Sequence, residues 1–337
     1  MNLEEIAKKM CAKGKGILAA DESTPTCSKR FESIGVDSTY ESRNEYRDML
    51  LTTEGLNDYI SGVIMFDETL RQSTTCKEKI PFTDYLNSKG ILPGIKVDTG
   101  AKEFAGFTNE KITEGLDGLR DRLKEYYKLG ARFAKWRGVY LISKNYPSKQ
   151  AIYSNAHALA RYACLVQESG MVPIVEPELL MDGEHNSEDC FKKTTEVIKT
   201  CYEQLELQKV ELKGTILKPN MILPGSNSSE KIDVLKVAEM TIDCLKKSVP
   251  SEVPGIAFLS GGQTEKEATK NLNQINLKNT TNFIMTFSYG RALQQSALKF
   301  WSKNIKNIQG TQEIFNHRAK MCSLASKGEW SESIDKI

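Results

Sequence analysis

Lys218 stands where a short apolar segment ends, a position at which a lysine can become a nucleophile. Leu212–Leu217 is aliphatic and β-branched, and Pro219 cannot donate to a sheet ladder, so a strand is predicted to end at Lys218. A lysine at such an end can extend its amine into solvent. It can instead lie in a dry pocket, partly neutral and able to form a Schiff base with a carbonyl substrate. The segment alone leaves both interpretations open.

Charged side chains recur at the ends of other short apolar segments. They are Asp21, Lys96, Lys135, Arg137, Glu176 and Glu178. Lysines that share one mouth repel each other, which favours a neutral amine on at least one of them. The carboxylates Asp21, Glu176 and Glu178 would supply acid and base partners. A solvated strand end explains any single residue, but it explains the convergence of the whole set poorly.

Two further groups of residues have the chemistry of phosphate sites. Ser260, Gly261 and Gly262 precede a predicted helix, where glycines let backbone N–H groups approach an anion that the helix dipole attracts. Gly290 and Arg291 follow the next predicted strand. A second phosphate could bind on the opposite wall, at Thr24, Thr26, Arg30 and Lys96. A plain glycine turn and a capped helix are the structural alternatives for the two groups.

Strand-like and helix-like segments alternate along the chain and would position these residues. The strand-like segments are Gly16–Ala20, Ile60–Phe66, Ile91–Val97, Arg132–Trp136, Val172–Val175, Leu212–Leu217, Ile256–Leu259 and Phe283–Phe287. Eight such units in 337 residues favour a closed (β/α)8 barrel over an open sheet. No linker divides the chain, so residues 1–337 are predicted to form one domain. It carries an extra terminal helix at 304–327 and a short polar tail at 329–337.

The overall composition narrows the class of protein and of partner. A net charge of +2, from 46 basic and 44 acidic residues, gives no electrostatic reason to expect nucleic acid or an anionic membrane. The eight cysteines form no Cys-x-x-Cys pair and the three histidines share no metal spacing, which disfavours a zinc site. No secretory signal is recognised, and no apolar run approaches the ~18 residues of a membrane span. We therefore expect a cytoplasmic protein without a metal or other cofactor.

Seven motifs, in order, resemble class I fructose-1,6-bisphosphate aldolases. They are GKGILAADEST (Gly14–Thr24), GIKVD (Gly94–Asp98), FAKWR (Phe133–Arg137), VPIVEPE (Val172–Glu178), LKPNM (Leu217–Met221), FLSGGQ (Phe258–Gln263) and TFSYGRAL (Thr286–Leu293). The resemblance extends from about Ile6 to Trp330. It implies a metal-free (β/α)8 barrel, usually a homotetramer, that cleaves fructose 1,6-bisphosphate in glycolysis and runs in reverse in gluconeogenesis. Sugar phosphates are the implied ligands, and a cytoskeletal partner is a further expectation.

The resemblance also implies roles for individual residues. Lys218 is the implied Schiff-base lysine, attacking the C2 carbonyl of the ketose. Glu176 resembles the acid/base that drives carbinolamine dehydration, with Glu178 supporting it. Asp21 resembles the base that takes the C4 hydroxyl proton, and Lys135 the lysine that controls proton balance and orients the substrate. The implied C1-phosphate site is Ser260, Gly261, Gly262, Gly290 and Arg291, and the C6-phosphate site is Ser23, Thr26 and Lys96, with Arg30 and Arg137 nearby.

The sequence departs from the family pattern at three places. Thr99 stands where a lysine usually follows the third-strand motif, and Pro25-Thr26 replaces the more usual Gly-Ser. The chain ends Asp335-Lys336-Ile337, whereas animal-type members end in a tyrosine that assists proton exchange at the enamine.

We therefore expect normal cleavage, with protonation of the enamine as the slow step. The measurement is solvent hydrogen exchange into dihydroxyacetone phosphate, which should not exceed the rate of turnover. Exchange faster than turnover would contradict a slow protonation.

Three alternatives remain open at this stage. Another Schiff-base lyase of the transaldolase or deoxyribose-phosphate aldolase type would use the same amine, although two phosphate sites favour a bisphosphate. A barrel kept as a scaffold for actin or a receptor would not need the intact set Lys218, Lys135, Glu176 and Asp21. A pyridoxal-phosphate enzyme would be coloured when purified.

Overall fold

Eight parallel strands close into a barrel in the computed structural model, which describes residues 1–336. They are β1 (Gly16–Ala20), β2 (Ile60–Met65), β3 (Leu92–Lys96), β6 (Phe133–Tyr140), β7 (Val172–Leu179), β8 (Ile216–Leu217), β9 (Gly255–Phe258) and β10 (Ile284–Tyr289). Each pairs with its neighbour in this order, and β10 pairs with β1 to close the ring. The predicted (β/α)8 barrel is confirmed.

Helices surround the barrel and follow most of its strands. They are α1 (Leu3–Met10), α2 (Thr24–Glu32), α3 (Tyr40–Leu51), α4 (Asp67–Leu70), α5 (Phe82–Ser88), α6 (Leu119–Lys128), α7 (Lys149–Glu168), α8 (Ser187–Leu207), α9 (Val234–Ser248), α10 (Glu265–Lys278), α11 (Arg291–Lys303) and α12 (Ile308–Ala325). The terminal helix predicted at 304–327 is α12. None of the helices within residues 1–336 combines the length and the apolar character that a membrane crossing requires.

Two local features differ from what the sequence predicts. The strand predicted at Leu212–Leu217 is mostly wrong, because Leu212–Gly214 forms a 3-10 turn and only Ile216–Leu217 pairs in the sheet. An antiparallel hairpin of β4 (Gly100–Glu103) and β5 (Lys111–Glu114) follows β3 and was not predicted, because its polar sequence lacks an apolar alternation. Both differences arise where tertiary packing overrides local propensity.

The terminal segment also differs from the polar tail that the sequence predicts from residue 329. Trp330 and Asp335 are buried against the body of the protein. The Trp330 backbone N–H donates to Asn273 Oδ1 in α10, and the Asp335 carboxylate accepts from Arg318 in α12. Ile337, also part of the predicted tail, lies outside the described residues.

The floor of the barrel is filled by aromatic rings that lie against glycines. Phe133 in β6 packs against Gly94 in β3 and Gly62 in β2, and Phe287 in β10 packs against Gly16 in β1. A methyl group at any of these glycines would overlap a ring. Below this layer, α1 adds apolar side chains to the same core. Within residues 1–336, these rings and α1 therefore fill the bottom of the barrel.

Replacing Gly94 by Ala should test this packing. The new Cβ would overlap the buried Phe133 ring, so Gly94→Ala should lower the free energy of unfolding by about 1–3 kcal/mol. Gly138→Ala is the matched control, since a Cβ there meets its nearest atom at 3.5 Å, an ordinary contact in another barrel strand. Urea unfolding of both variants decides the point. Equal stability of Gly94→Ala and Gly138→Ala would contradict the packing described.

Candidate active site

A cleft of about 530 Å³ opens at the carboxyl ends of the barrel strands. It is lined by almost all of the residues that the sequence singles out, namely Asp21, Ser23, Thr26, Arg30, Lys96, Lys135, Arg137, Glu176, Glu178, Lys218, Ser260, Gly261, Gly290 and Arg291. Gly262 lines an adjoining cleft that shares Gly261 and Arg291 with this one. The structure thus brings residues from seven strand ends to one place.

Four of these side chains form a row of alternating charge at the base of the cleft. Lys135 Nζ lies 2.8 Å from Asp21 Oδ2 and 3.2 Å from Glu176 Oε2. Glu176 Oε1 in turn lies 3.0 Å from Lys218 Nζ. Lys135 and Lys218 are each only 4% exposed, and Glu176 is 2% exposed. Because none of the four can be hydrated freely, each depends on its neighbours for compensation.

The alternation shifts the pKa values of the groups along the row. Burial by itself would raise the pKa of the Asp21 carboxyl, but Lys135 and Lys218 outweigh it and hold that pKa well below its usual value. The pKa of Glu176 is likewise lowered, because Lys135 and Lys218 outweigh the effect of burial. For Lys135, burial would lower the pKa, but Asp21 and Glu176 raise it above its usual value. Lys135 is therefore a fixed ammonium.

The structure changes the expectation that lysines repel one another across the mouth. Each lysine faces a carboxylate, and Lys96 is held by Asp98, whose Oδ1 lies 2.7 Å from its Nζ. Lys96 and Lys135 are partners in the β3–β6 register, yet their amines bond to different acids. Repulsion between lysines therefore does not set the charge of Lys135.

Strand register explains how the row is assembled. In β6, Phe133, Lys135 and Arg137 are two residues apart, so their side chains share the face that points into the barrel. Phe133 belongs to the floor, Lys135 to the charged row and Arg137 to the cleft wall. Arg137, whose side chain is partly exposed, pairs with Glu178 of the neighbouring β7, and this carboxylate outweighs partial burial and raises the pKa of the guanidinium. The inward-facing residues of β6 thus contribute, in order along the strand, to the floor, the charged row and the wall of the cleft.

The loop after β9 has the backbone shape of an anion cradle. Gly261 and Gly262 have φ values of +50° and +78°, which side chains other than glycine rarely adopt. Gln263 Nε2 donates to the Ser260 carbonyl at 2.8 Å and so closes the turn. Thr264 then caps α10 through a capping box, and the N-terminus of that helix faces the loop.

The opposite wall carries hydroxyl groups and an arginine. Ser23 occupies the N-cap position of α2 but makes no capping hydrogen bond, contrary to the simple capping alternative. Its Oγ lies 3.1 Å from Thr26 Oγ1, so the two hydroxyls form a pair at the cleft edge. Arg30 reaches back to form an ion pair with Glu22. The wall thus presents donors to the cleft.

Sequence reasoning missed the residues that hold this wall. Glu22 lines the cleft and pairs with both Arg30 and Arg47, the latter at 2.9 Å. Arg47 lies in the middle of α3 and is 3% exposed. Glu22 follows Asp21 directly at a strand end and could have been found from that position. Arg47 offers no such signal, because only the folded chain brings α3 under the cleft.

The described residues 1–336 contain no group of three or more His, Cys, Asp or Glu side chains that could hold a metal ion. The ionic groups of the cleft are instead carboxylates paired with lysines and arginines. The arrangement can therefore bind anions at its walls and transfer protons at its base.

Replacing Lys135 by Met should reverse part of the pH dependence of stability. Without their shared cation, Asp21 and Glu176 should have pKa values above those of the unfolded chain. The folded variant then binds protons that the unfolded chain does not. Linkage then makes the variant more stable as the pH falls, whereas the wild type, with a lowered Asp21 pKa, loses stability as the pH falls. We expect a deficit of about 3–5 kcal/mol near neutral pH, shrinking towards pH ~5.

Urea unfolding across this pH range measures the deficit. Lys124→Met is the control, because Lys124 is exposed and its nearest carboxylate, Asp121, lies 3.7 Å away. Its stability relative to the wild type should not depend on pH. A Lys135→Met deficit that stays constant with pH would contradict the buried alternation of charge.

A parallel barrel with buried lysines and carboxylates at its carboxyl-terminal rim has the architecture of a barrel enzyme. The family model described as glycolytic fructose-bisphosphate aldolase class-I matches residues 2–337. A probable fructose-bisphosphate aldolase class 1 of Xanthomonas campestris is 52% identical over 329 residues, covering 97% of this chain and 98% of that protein. The cytosolic fructose-bisphosphate aldolase 4 of Arabidopsis thaliana is 52% identical over 316 residues, covering 94% of this chain and 80% of that one.

A solved structure gives the same result for the fold. The Plasmodium falciparum fructose-bisphosphate aldolase, crystallised with TRAP and a small-molecule inhibitor, superimposes with a TM-score of 0.95 at 45% identity. The match covers 98% of this chain and 95% of that one. The chain belongs to the class I fructose-bisphosphate aldolase family. It is a carbon–carbon lyase that reversibly cleaves fructose 1,6-bisphosphate to dihydroxyacetone phosphate and glyceraldehyde 3-phosphate through a lysine Schiff base.

Proposed function

We propose that Lys218 is the amine that forms the Schiff base with C2 of the ketose. The observation that supports it is the buried row Asp21–Lys135–Glu176–Lys218, in which Lys218 stands at the end and Lys135 is enclosed between two acids. An amine flanked by two carboxylates keeps its proton and is a poor nucleophile. Lys218, with one acid at 3.0 Å, can pass a proton to Glu176 and attack a carbonyl.

Glu176 is the group that handles protons during imine formation. Its Oε1 accepts one proton from the Lys218 ammonium before the amine attacks, and the amine gives a second proton to the C2 oxygen as it adds; Glu176 then returns the first proton to the carbinolamine hydroxyl, so that water leaves and the protonated imine remains. Lys135 stays charged throughout and keeps the carboxylate available. Glu178, two residues further along β7 and on the same face as Glu176, forms an ion pair with Arg137 and supports this role.

Asp21 is the base for carbon–carbon cleavage. It takes the proton of the C4 hydroxyl while the electrons of the C3–C4 bond move into the protonated imine, which releases glyceraldehyde 3-phosphate and leaves an enamine. Protonation at C3 and hydrolysis of the imine then release dihydroxyacetone phosphate. With a lowered pKa, Asp21 is a weak base, so the electron-withdrawing iminium must supply most of the driving force.

The two walls of the cleft are proposed to bind the two phosphates. The C1-phosphate residues are Ser260, Gly261, Gly262, Gly290 and Arg291, and the C6-phosphate residues are Ser23, Thr26 and Lys96, with Arg30 and Arg137 nearby. The positive φ angles of Gly261 and Gly262 and the N-terminus of α10 favour an anion on the first wall. The hydroxyl pair and the arginine favour one on the second. A bisphosphate is therefore preferred over a substrate with one phosphate.

Borohydride reduction in the presence of dihydroxyacetone phosphate tests the assignment of the amine. Peptide mass mapping should place the label on Lys218, and Lys218→Met should abolish both labelling and cleavage. Lys213→Met is the matched control, since Lys213 is exposed on the same segment and should leave both unchanged. Label on another lysine would overturn the assignment, and inhibition by EDTA would overturn a metal-free reaction.

We further infer the setting in which the enzyme works. Relatives from Arabidopsis are named cytosolic, which supports a cytosolic location. Membership of the family supports a homotetramer, and light scattering that gives a monomer mass would contradict it. Residues 1–337 are inferred to unfold as one domain, in a single transition. A scaffold role is not favoured over catalysis, and a cytoskeletal partner stays a prediction that co-sedimentation with actin filaments would test.

A further inference from the structure

The strand that directly precedes the proposed Schiff-base lysine is the shortest of the barrel. β8 has two residues, and its ladder to β7 consists of Ile174 with Ile216 and Val175 with Leu217. Beyond it, the Lys218 N–H donates to the Val175 carbonyl at 2.8 Å. β7 itself continues to Leu179, and it carries Glu176 and Glu178. The backbone pairing between β7 and the Lys218 segment therefore ends beside Glu176, and the distance between Lys218 and Glu176 is not fixed by further sheet bonds.

A side chain bridges this opening. Asn220 Oδ1 accepts the backbone N–H of Leu179 at 3.0 Å, which replaces a sheet bond at the end of β7. The amide Nδ2 donates to Thr194 Oγ1 in α8 at 3.2 Å and to the Met221 carbonyl at 3.1 Å. Asn220 is 2% exposed, so these bonds form away from bulk water. The amide thus links its own loop to β7 and to α8.

Pro177 explains why a side chain is needed here. Proline has no N–H, so β7 cannot donate from this position between the two glutamates. Across the β7–β8 opening, the described residues show the Lys218 N–H bond before it and the Leu179 bond to Asn220 after it. A neutral amide suits the place, since it accepts and donates without adding a charge beside Lys218.

We propose that Asn220 is a positioning residue that holds the Lys218 segment in register with the Glu176 end of β7. The 3.0 Å separation of Lys218 Nζ and Glu176 Oε1 depends on this register. Without the brace, the two segments can move apart, and the proton transfer between them becomes slower. Asn220 is not among the residues that line the cleft. This inference rests on the roles proposed above for Lys218 and Glu176.

Asn220→Leu removes every hydrogen bond of the amide while keeping a similar volume. It should lower kcat, and the rate at which borohydride traps Lys218 with dihydroxyacetone phosphate, by about 10- to 100-fold. The KM for fructose 1,6-bisphosphate should stay within about threefold of the wild type, because the phosphate walls are untouched. If Asn220→Leu does not fold, Asn220→Ser, whose side chain is too short for the same bonds, should show the same split.

Thr241→Val is the matched control. Thr241 is 1% exposed and accepts the Ile222 N–H at 3.0 Å, so it anchors the same loop to α9 without a bond to β7. It should shift the urea midpoint about as much as Asn220→Leu while keeping kcat within about threefold. Equal losses of kcat in the two variants, or wild-type trapping in the Asn220 variant, would overturn the positioning role.

Lys218→Met separates this inference from the proposed function. If Lys218→Met still cleaves the sugar, the assignment of the amine fails and the role of Asn220 fails with it. If Lys218→Met is inactive while the Asn220 variants turn over like the wild type, only the inference about Asn220 is overturned.

Discussion

The fold has to keep one group of ions together, the buried row of alternating charges at the carboxyl end of the barrel. A buried ion without a partner costs several kcal/mol, so Asp21, Lys135, Glu176 and Lys218 are stable only together. Their strands β1, β6, β7 and β8 are not all neighbours, since β2 and β3 separate β1 from β6. Only a closed barrel lets Asp21 reach Lys135 across the interior. The fold and the charge pattern therefore require each other.

The aromatic floor and α1 lie below this row and exclude water from it. Phe133 and Phe287 lie against glycines of the facing strands, and α1 closes the bottom. The same strand that contributes Phe133 to the floor contributes Lys135 to the row, two residues later. Because inward-facing residues alternate along a strand, a shift of one residue in β6 would turn both side chains outward. The register of β6 therefore determines both the packing of the floor and the position of the Lys135 amine.

Polar side chains in and near the loops at the mouth hold the walls of the cleft in place. Glu22 and Arg47 hold the wall that carries Arg30, and Gln263 closes the turn of the glycine loop. Asn220 does the same for the lysine segment, where the strand is too short to fix itself. In each case, a buried or half-buried polar side chain makes the contact, and at Asn220 it takes the place of a sheet bond.

The barrel and most of its chemistry could be read from local sequence. Apolar segments of strand type recur between helical periods. Charged residues at several strand ends then identify the rim, because parallel strands in a barrel end on one side. The prediction failed at Leu212–Gly214, where packing against Leu3 and a local turn replace the expected strand. Local propensity cannot register such a contact, because its partner lies some 200 residues away in the chain.

Sequence by itself therefore determined the order of the elements and the kinds of group that meet at the rim. Tertiary structure alone decided which lysine faces which acid, and hence where the positive charge is fixed. The physical reason is that hydrophobic periodicity is a property of neighbours in the chain, whereas the charge state of a buried group depends on atoms within a few ångströms in space. The motifs around Lys135 and Lys218 imply different roles, but only the distances to Asp21 and Glu176 show that Lys135 lies between two acids while Lys218 faces one.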